Sequence, residues 1–294
     1  MSRAVWAVAA AALLLGTATG CGERSEPVGA HVSPYPVTVH GAGEDATVLR
    51  ARPRRIVPLS AGAAELISDL GGRNQLVAGR AGSTAIWKLS GAELVRAVSR
   101  LSPDLVVASP STAPLVLRRI KREARVPVYV TPDRSLRDVG RALTQLGLLT
   151  DHAVQARRLA RANDLAGQRV VREVRGRPVL RVFLDTGFFT TVSTRTLFSD
   201  LLRLAGARNV VGPRPEPGPF SLRLLQRLDP QVYLATADSE TTLRYLRRNP
   251  STRKLSAVRS GRFRLVDPGY LVADGQLGPR VAALARLLHP DAGR

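Results

Sequence analysis

The chain has 294 residues, of which 44% are hydrophobic and 23% charged, values that are ordinary for a globular protein and exclude wholesale disorder. A formal net charge of +21 would suit nucleic-acid binding, because a cationic surface attracts phosphates. However, only three of the 44 basic residues are lysines, and the arginines are spread along the chain without a basic arm or interleaved aromatic residues. The composition therefore argues against nucleic acid and favours anionic lipid, cell-wall polymer or an acidic ligand.

The first 20 residues have the pattern of a signal peptide. Arg3 supplies the charged start, residues 4–15 are apolar, and small residues precede Cys21. The apolar stretch is short for a membrane span. This pattern resembles a bacterial lipoprotein signal, which implies that Cys21 is lipidated and that residues 21–36 form a polar tether. An ordinary secretory signal with an incidental cysteine is the alternative, although Cys21, the only cysteine, has no possible disulfide partner.

Residues 37–149 alternate between short apolar runs and helical patterns, which predicts an α/β lobe with a mainly parallel sheet. A strand, a turn and a second strand come first, over residues 37–49. The strands predicted next are 56–59, 76–78, 105–108 and 126–131, and the helices are 61–70, 91–100, 114–124 and 136–146.

One long helix is predicted over residues 150–174, within a connecting segment of residues 150–175. Small and apolar residues recur there at helical spacing, and arginines cover the other faces. Thr150 or Asp151 would cap its start, and Gly176 and Pro178 would end it. A helix of this length spans about 36 Å, enough to join two lobes rigidly.

Residues 176–294 repeat the α/β alternation and predict a second lobe. Its predicted strands are 179–184, 209–211, 232–235 and 263–266, and its helices are 197–204, 221–228, 241–247 and 273–288. Two pairs of segments recur in the same order: LGGRNQLVAG (70–79) matches LAGARNVVG (204–212), and LSPDLVVAS (101–109) matches LDPQVYLAT (228–236). A duplicated unit explains both pairs, and chance similarity of short strings is the alternative. The predicted fold class is α/β, with two lobes of mainly parallel sheets joined by a single long helix.

The order of these segments resembles the cobalamin-, ferric-siderophore- and haem-binding proteins of bacterial ABC importers, a two-lobed class with a helical backbone. The resemblance extends over residues 37–290 and is carried by RPRRIVPLSAGAAELISDLGG (52–72), LSPDLVVAS, VPVYVT, FSDLLRLAGARNVVG (198–212), LDPQVYLAT and GPRVAALARLLHP (278–290). It implies a ligand held between the lobes by loops at the carboxyl ends of the strands, and little closure.

The resemblance also implies one permease-docking glutamate on each lobe. The first falls on Glu65, for which an ordinary exposed glutamate is the alternative. The second should follow Ser221 and Leu222, but Arg223 stands there and would repel the arginines usual on such a permease. Either the permease carries a compensating acid, or Glu216 substitutes, or the chain no longer feeds a conventional importer.

Candidate ligand contacts lie in loops expected to line the cleft, where aromatic faces suit flat macrocycles or catecholate rings and arginine suits carboxylates. Phe188 and Phe189 are the strongest, because they follow an apolar strand and a glycine. Core packing is the alternative for each aromatic residue, and the loop 79–91 is shorter than is usual in the family. The candidates are Arg80, Trp87, Ser109, Ser111, Phe188, Phe189, Phe220 and Tyr270.

Catalysis is not indicated. The sequence has neither G-x-S-x-G nor a phosphate-binding GxxxxGK[ST] motif, and its four histidines show no metal-ligand spacing. We therefore expect no enzyme activity, no metal site and no cofactor, although the ligand can itself be a metal chelate. The expected protein is a monomeric, lipid-anchored, extracytoplasmic solute-binding protein with an ABC permease as partner. The alternative is a lipoprotein sensor or interaction module that keeps this fold without transport.

Overall fold

The structure is a computed structural model that describes residues 34–43, 45–79, 85–213 and 218–290. The predicted signal peptide, Cys21, Arg80 and Glu216 lie outside these ranges. Within them, no helix combines the length and the apolar character that crossing a membrane requires.

The N-terminal lobe precedes the long helix and contains a three-stranded parallel sheet. Its strands are β1 (Val37–Val39), β2 (Thr47–Leu49), β3 (Ile56–Pro58), β4 (Leu105–Ala108) and β5 (Val128–Val130). Its α-helices are α1 (Ala61–Asp69), α2 (Gly91–Arg100), α3 (Pro114–Ala124) and α4 (Leu136–Leu149), with 3₁₀ turns at Arg73–Gln75 and Ile86–Lys88. The sheet order is β3-β4-β5, and β1 and β2 form a separate antiparallel pair.

The long helix, α5, runs from Ala153 to Glu173. At 21 residues it spans about 32 Å, which is shorter than predicted. The predicted caps are wrong because α4 extends to Leu149, and the Thr150 hydroxyl donates to the carbonyl oxygen of Leu146 at 2.7 Å, at the end of α4. His152 occupies the N-cap position without a side-chain capping hydrogen bond.

The C-terminal lobe follows α5 and contains a four-stranded parallel sheet in the order β8-β6-β10-β11. Its strands are β6 (Leu180–Asp185), β7 (Thr190–Thr191), β8 (Ala207–Asn209), β9 (Gly218–Pro219), β10 (Val232–Thr236) and β11 (Phe263–Val266). Its helices are α6 (Leu197–Leu204), α7 (Leu222–Leu228), α8 (Leu243–Arg248), α9 (Ser256–Arg259) and α10 (Leu277–Leu288), with a 3₁₀ turn at Pro268–Leu271. The predicted strand at 209–211 therefore lies two residues too late, and α10 starts four residues after its predicted start.

The two sheets have the same topology, as the internal sequence similarity predicts. In the C-terminal lobe, β8 pairs in parallel with β6 at the edge of the sheet. In the N-terminal lobe the matching segment makes one parallel bridge, between Leu76 and Ile56. The predicted strand at 76–78 is thus reduced to an isolated bridge at the equivalent edge, and the remaining order, β3-β4-β5, corresponds to β6-β10-β11.

The buried apolar residues form three clusters. The largest includes side chains of both lobes, such as Ile56, Leu105, Val182 and Val232, together with Val170 of α5. The two smaller clusters are each confined to one lobe and fill the other face of its sheet. The two lobes therefore share one continuous core.

Candidate functional site

A cavity of about 200 Å³ lies between the lobes, at the carboxyl ends of β3, β4 and β5. On the N-terminal side, Ser60, Ser109 and Thr131 each follow the carboxyl end of a strand and line the cavity. The opposite wall is the segment 271–273, which follows β11 and the 3₁₀ turn after it. This is the position at which open α/β sheets bind ligands.

The N-terminal wall of the cavity is polar. Ser109 is buried, and its hydroxyl oxygen lies 2.9 Å from the hydroxyl oxygen of Ser111. The Ser109 hydroxyl also accepts a hydrogen bond from the backbone N–H of Ser111 at 3.2 Å. The Ser60 hydroxyl accepts from the backbone N–H of Ala63 at 3.1 Å and so caps α1. The cavity thus offers hydroxyl groups held in place by neighbouring backbone.

Asp133 lines the same cavity and, like Ser60 and Thr131, is not among the contacts predicted from the sequence. Burial raises the pKa of its carboxyl group, and a hydrogen bond with Ser109 partly opposes that shift. The signal that could have found it is positional: Asp133 follows β5 just as Ser109 follows β4, so the rule that selected Ser109 also selects Asp133.

On the C-terminal side, a buried carboxylate organises the loop after β6. Asp185 accepts hydrogen bonds from the Tyr233 hydroxyl at 2.7 Å, from the Thr241 hydroxyl at 2.9 Å and from the backbone N–H of Gly187 at 2.8 Å. Through the Gly187 contact this network fixes the start of the loop that carries Phe188. It draws together the residues that follow β6 and β10.

Phe188 is the most exposed large apolar side chain in the described structure, at 88% of its full surface. It and Phe189 have φ angles of +50° and +58°, a region that costs L-residues free energy and recurs at binding sites. Phe189 is half-buried beside the ring of Tyr245, at a centroid distance of 6.2 Å. The loop predicted to be the best ligand contact therefore presents one free aromatic face and one packed one.

The other predicted aromatic contacts lie deeper. Phe220 is only 8% exposed and packs against Phe183 at a centroid distance of 5.6 Å, so its position matches the core-packing alternative. Trp87 packs partly buried against the core of the N-terminal lobe. Tyr270 lies in the 3₁₀ turn next to Leu271 of the cavity wall, and burial raises its pKa.

The two predicted docking positions are both on exposed helix surfaces. Glu65 lies in the middle of α1, five residues after the Ser60 cap that borders the cavity. Arg223 lies in the first turn of α7, where the Ser221 hydroxyl caps the helix. Across the described ranges, no cluster of three or more His, Cys, Asp or Glu side chains is arranged to hold a metal ion.

The chain is similar to known binding proteins in sequence and in fold. No family model matches the chain. The vitamin B12-binding protein of Pectobacterium carotovorum subsp. carotovorum (strain PC1) is 29% identical over 205 residues, 64% of this chain and 73% of that protein. Among solved structures, a periplasmic haem-binding protein from Roseiflexus sp. RS-1 superposes with a TM-score of 0.72 at 19% identity, covering 81% of this chain and 99% of that one. Helicobacter pylori CeuE with Ni(II) bound gives 0.73 at 14% identity, covering 87% and 90%.

The chain has the fold of a two-lobed periplasmic binding protein. The proteins that it matches are binding proteins, not enzymes. In this chain Ser109 lines the cavity between the lobes, whereas Phe188 is exposed and is not among the residues that line it.

Proposed function

We propose that this protein captures a small-molecule metal chelate, a ferric siderophore, cobalamin or haem, in the cleft between its lobes and delivers it to an ABC importer. We also propose that it works outside the cytoplasm, anchored through a lipid on Cys21. The observation that carries the proposal is the position of the cavity, between the carboxyl ends of the N-terminal sheet and the segment 271–273 of the other lobe.

The chemistry of the cleft supports a ligand that combines an apolar face with hydrogen-bonding groups. Phe188 offers an uncovered ring, which suits stacking against a flat ligand. Ser109, Ser111 and Asp133 offer hydroxyl and carboxyl groups on the opposite lobe. The cavity of about 200 Å³ is smaller than the ~300–1,000 Å³ usual for small-molecule sites, so the ligand would extend from it into the open cleft.

A thermal-shift screen tests the ligand assignment. Purified protein is heated with cobalamin, haem or one of a panel of ferric siderophores. A ligand at 100 times its dissociation constant adds about 2.7 kcal/mol to the free energy of unfolding, which raises Tm by several degrees in a protein of this size. A shift with one class identifies the ligand, and Phe188→Ala should reduce that shift. A folded sample that responds to none of them contradicts the proposal.

Delivery to an importer is tested with Glu65→Arg, assayed by uptake in cells. We expect uptake to be lost while the affinity for ligand in solution stays unchanged, because Glu65 is exposed on α1 and is not among the residues that line the cavity. Glu93→Arg is the matched control, since it makes the same charge change at an exposed position of α2. Unchanged uptake in Glu65→Arg would overturn the docking role.

A second candidate function, a sensor or interaction module without transport, is favoured by one observation. Arg223 is exposed at the start of α7, where the resemblance calls for a docking glutamate. If this module binds a non-permease partner in the envelope, that binding should survive Glu65→Arg. Arg223→Glu separates the two functions: a transport protein should change its uptake, gaining it on a permease with the usual arginines and losing it on one with a compensating acid, whereas a protein without transport should show no uptake in either form.

A further inference from the structure

A second cavity, of about 560 Å³, lies along the connecting helix and shares no lining residue with the cleft. Helices α4, α5, α6 and α10 form its walls, so it sits where the two lobes meet the helix that joins them. Its apolar lining includes Leu136, Leu143, Leu201, Leu204, Leu277 and Val281. Its volume falls within the ~300–1,000 Å³ range of small-molecule sites.

The cavity is an elongated groove. Its lining residues on α5 run from Ala160 to Arg172, a distance of about 18 Å along the helix axis, and Arg175 adds to the lining just past the end of α5. The acyl chain of a membrane lipid spans half of a hydrocarbon core about 30 Å thick, or about 15 Å. The groove is therefore long enough for one extended acyl chain and its head group.

Gly140 keeps this groove open. It lies in the interior of α4, where glycine is a poor helix former, and a Cβ added there would meet nothing within 4 Å. Close packing against another helix is therefore not the reason for the missing side chain. Its effect is to leave space in the groove, which it lines.

One end of the groove is cationic. Arg172 and Arg175 line it, both are exposed, and neither forms an ion pair or a side-chain hydrogen bond with any residue in the described ranges. Asp164 lines the groove two turns earlier on α5, about 12 Å away along the axis. This polarity favours an anionic head group at the arginines and disfavours one beside Asp164.

We propose that the groove along α5 binds a single acyl chain whose anionic head group, a carboxylate or a phosphate, is held by Arg172 and Arg175. Arginine pairs with either group through two parallel N–H donors. The apolar lining takes the chain, and Gly140 provides the space. The ligand class is a fatty acid or a single-chain phospholipid, and its site is separate from the cleft.

The test measures binding of dodecanoate, monododecyl phosphate and dodecyltrimethylammonium to the purified protein by titration calorimetry below their micellar concentrations. We expect one molecule of either anion to bind and the cation not to bind. Comparing dodecanoate with monododecyl phosphate distinguishes a fatty-acid site from a phospholipid site. Lengthening the chain should strengthen binding by up to about fourfold per methylene, which corresponds to about 0.8 kcal/mol for each buried methylene.

Two sets of variants make the result specific. Gly140→Phe fills the groove and should weaken binding at least tenfold. Val171→Glu should also weaken binding at least tenfold, and because this lining position is already 40% exposed and lies on α5, the result does not depend on a change inside α4. Arg172→Gln with Arg175→Gln should also weaken binding at least tenfold. The matched control is Arg161→Gln with Arg169→Gln, two exposed arginines of α5 that do not line the groove. No binding to folded protein, equal binding of the cation, or binding unaffected by all these variants would overturn the proposal.

Discussion

At the scale of single residues, Asp133 is a carboxyl group that could contact a ligand in the cleft but whose burial affects the stability of the fold. Burial raises the pKa of its carboxyl group above 3.8, so the ionised form is disfavoured in the folded protein. Since the folded-state pKa exceeds the unfolded one, the stability that this group contributes is fully present below the unfolded value and is lost as the pH rises through the folded value. A carboxyl group in a cleft whose ionised form is disfavoured by burial is a candidate for ligand contact.

We therefore expect Asp133→Asn to raise Tm at pH 7, at the lower end of the ~0.5–2 kcal/mol typical of stabilising substitutions. The amide can still bond to Ser109 but carries no charge to bury. The gain should shrink as the pH falls towards 4, because a carboxyl group with a raised pKa takes up its proton at a higher pH than an ordinary aspartate does. Thermal unfolding at both pH values measures it, with Asp238→Asn as the exposed control. Destabilisation at pH 7, or a gain that does not depend on pH, would show that burial of charge is not the cause.

What the sequence could predict about individual residues depended on how local their environment is. Ser109 was predicted to reach the cleft because its position at the end of a strand is a local feature, and it lines the cavity. Phe220 was chosen by the same reasoning, yet it packs against Phe183, which is 37 positions away in sequence. Contacts of that range depend on the assembled lobe, so the sequence alone left contact and core packing as equal alternatives.

At the scale of elements, the start of α10 is held by other helices and not by its own cap. Its N-cap residue, Gln276, makes no side-chain capping bond. Instead Asn163 of α5 donates to the Gly275 carbonyl oxygen at 2.9 Å and accepts from the Gly278 backbone N–H at 2.8 Å. Asp69 of α1 adds a hydrogen bond from the Gly275 backbone N–H at 2.9 Å. One helix terminus is thereby tied to both the long helix and the opposite lobe.

We expect Asn163→Ala to lower the free energy of unfolding by about 1–3 kcal/mol, since two hydrogen bonds are lost and each contributes ~0.5–1.5 kcal/mol. Asn163→Asp should cost less, because a carboxylate still accepts from Gly278 and suits the positive end of a helix dipole. Denaturant unfolding measures both variants. Asp164→Ala, a change at the exposed neighbouring position, is the control and should be nearly neutral. An equal loss in all three would point to a general effect on α5.

The order of the elements followed from periodicity, whereas their ends did not. Helices such as α2 and α3 were predicted to the residue because a capping position or a proline and a change of polarity mark their limits. The late start of α10 was missed because its cap comes from Asn163, more than 100 positions earlier. The strand predicted at 76–78 shrank to one bridge, between Leu76 and Ile56, whereas the matching edge strand β8 pairs with β6 at three positions, so the repeated sequence predicts the position of this edge but not its length.

At the scale of the whole molecule, the two lobes are joined by more than the connecting helix. The largest apolar cluster contains side chains from both sheets, from α1, α4 and α5, and from α6 and α10. Polar contacts also cross between the lobes: Asp69 bonds to Gly275, and Asp200 of α6 accepts from the Leu136 backbone N–H at 3.0 Å. The internal repeat predicts two similar lobes, but it contains no information on how far their cores merge, because the merging depends on helices outside the repeated segments.

The shared core leads to a last prediction, that the protein unfolds in one cooperative transition and not lobe by lobe. If one lobe unfolded alone, its own part of the largest cluster would be exposed to water, and so would the part on the folded lobe that it had covered. A half-folded state would therefore lose apolar burial in both lobes. Scanning calorimetry should therefore give a calorimetric enthalpy equal to the van't Hoff enthalpy. Asn163→Ala should move this single transition as a whole, because its contacts link α5 to α10. Two resolved transitions, or a variant that shifts only part of the heat absorption, would mean that the lobes are independent and that the connecting helix is a simple linker.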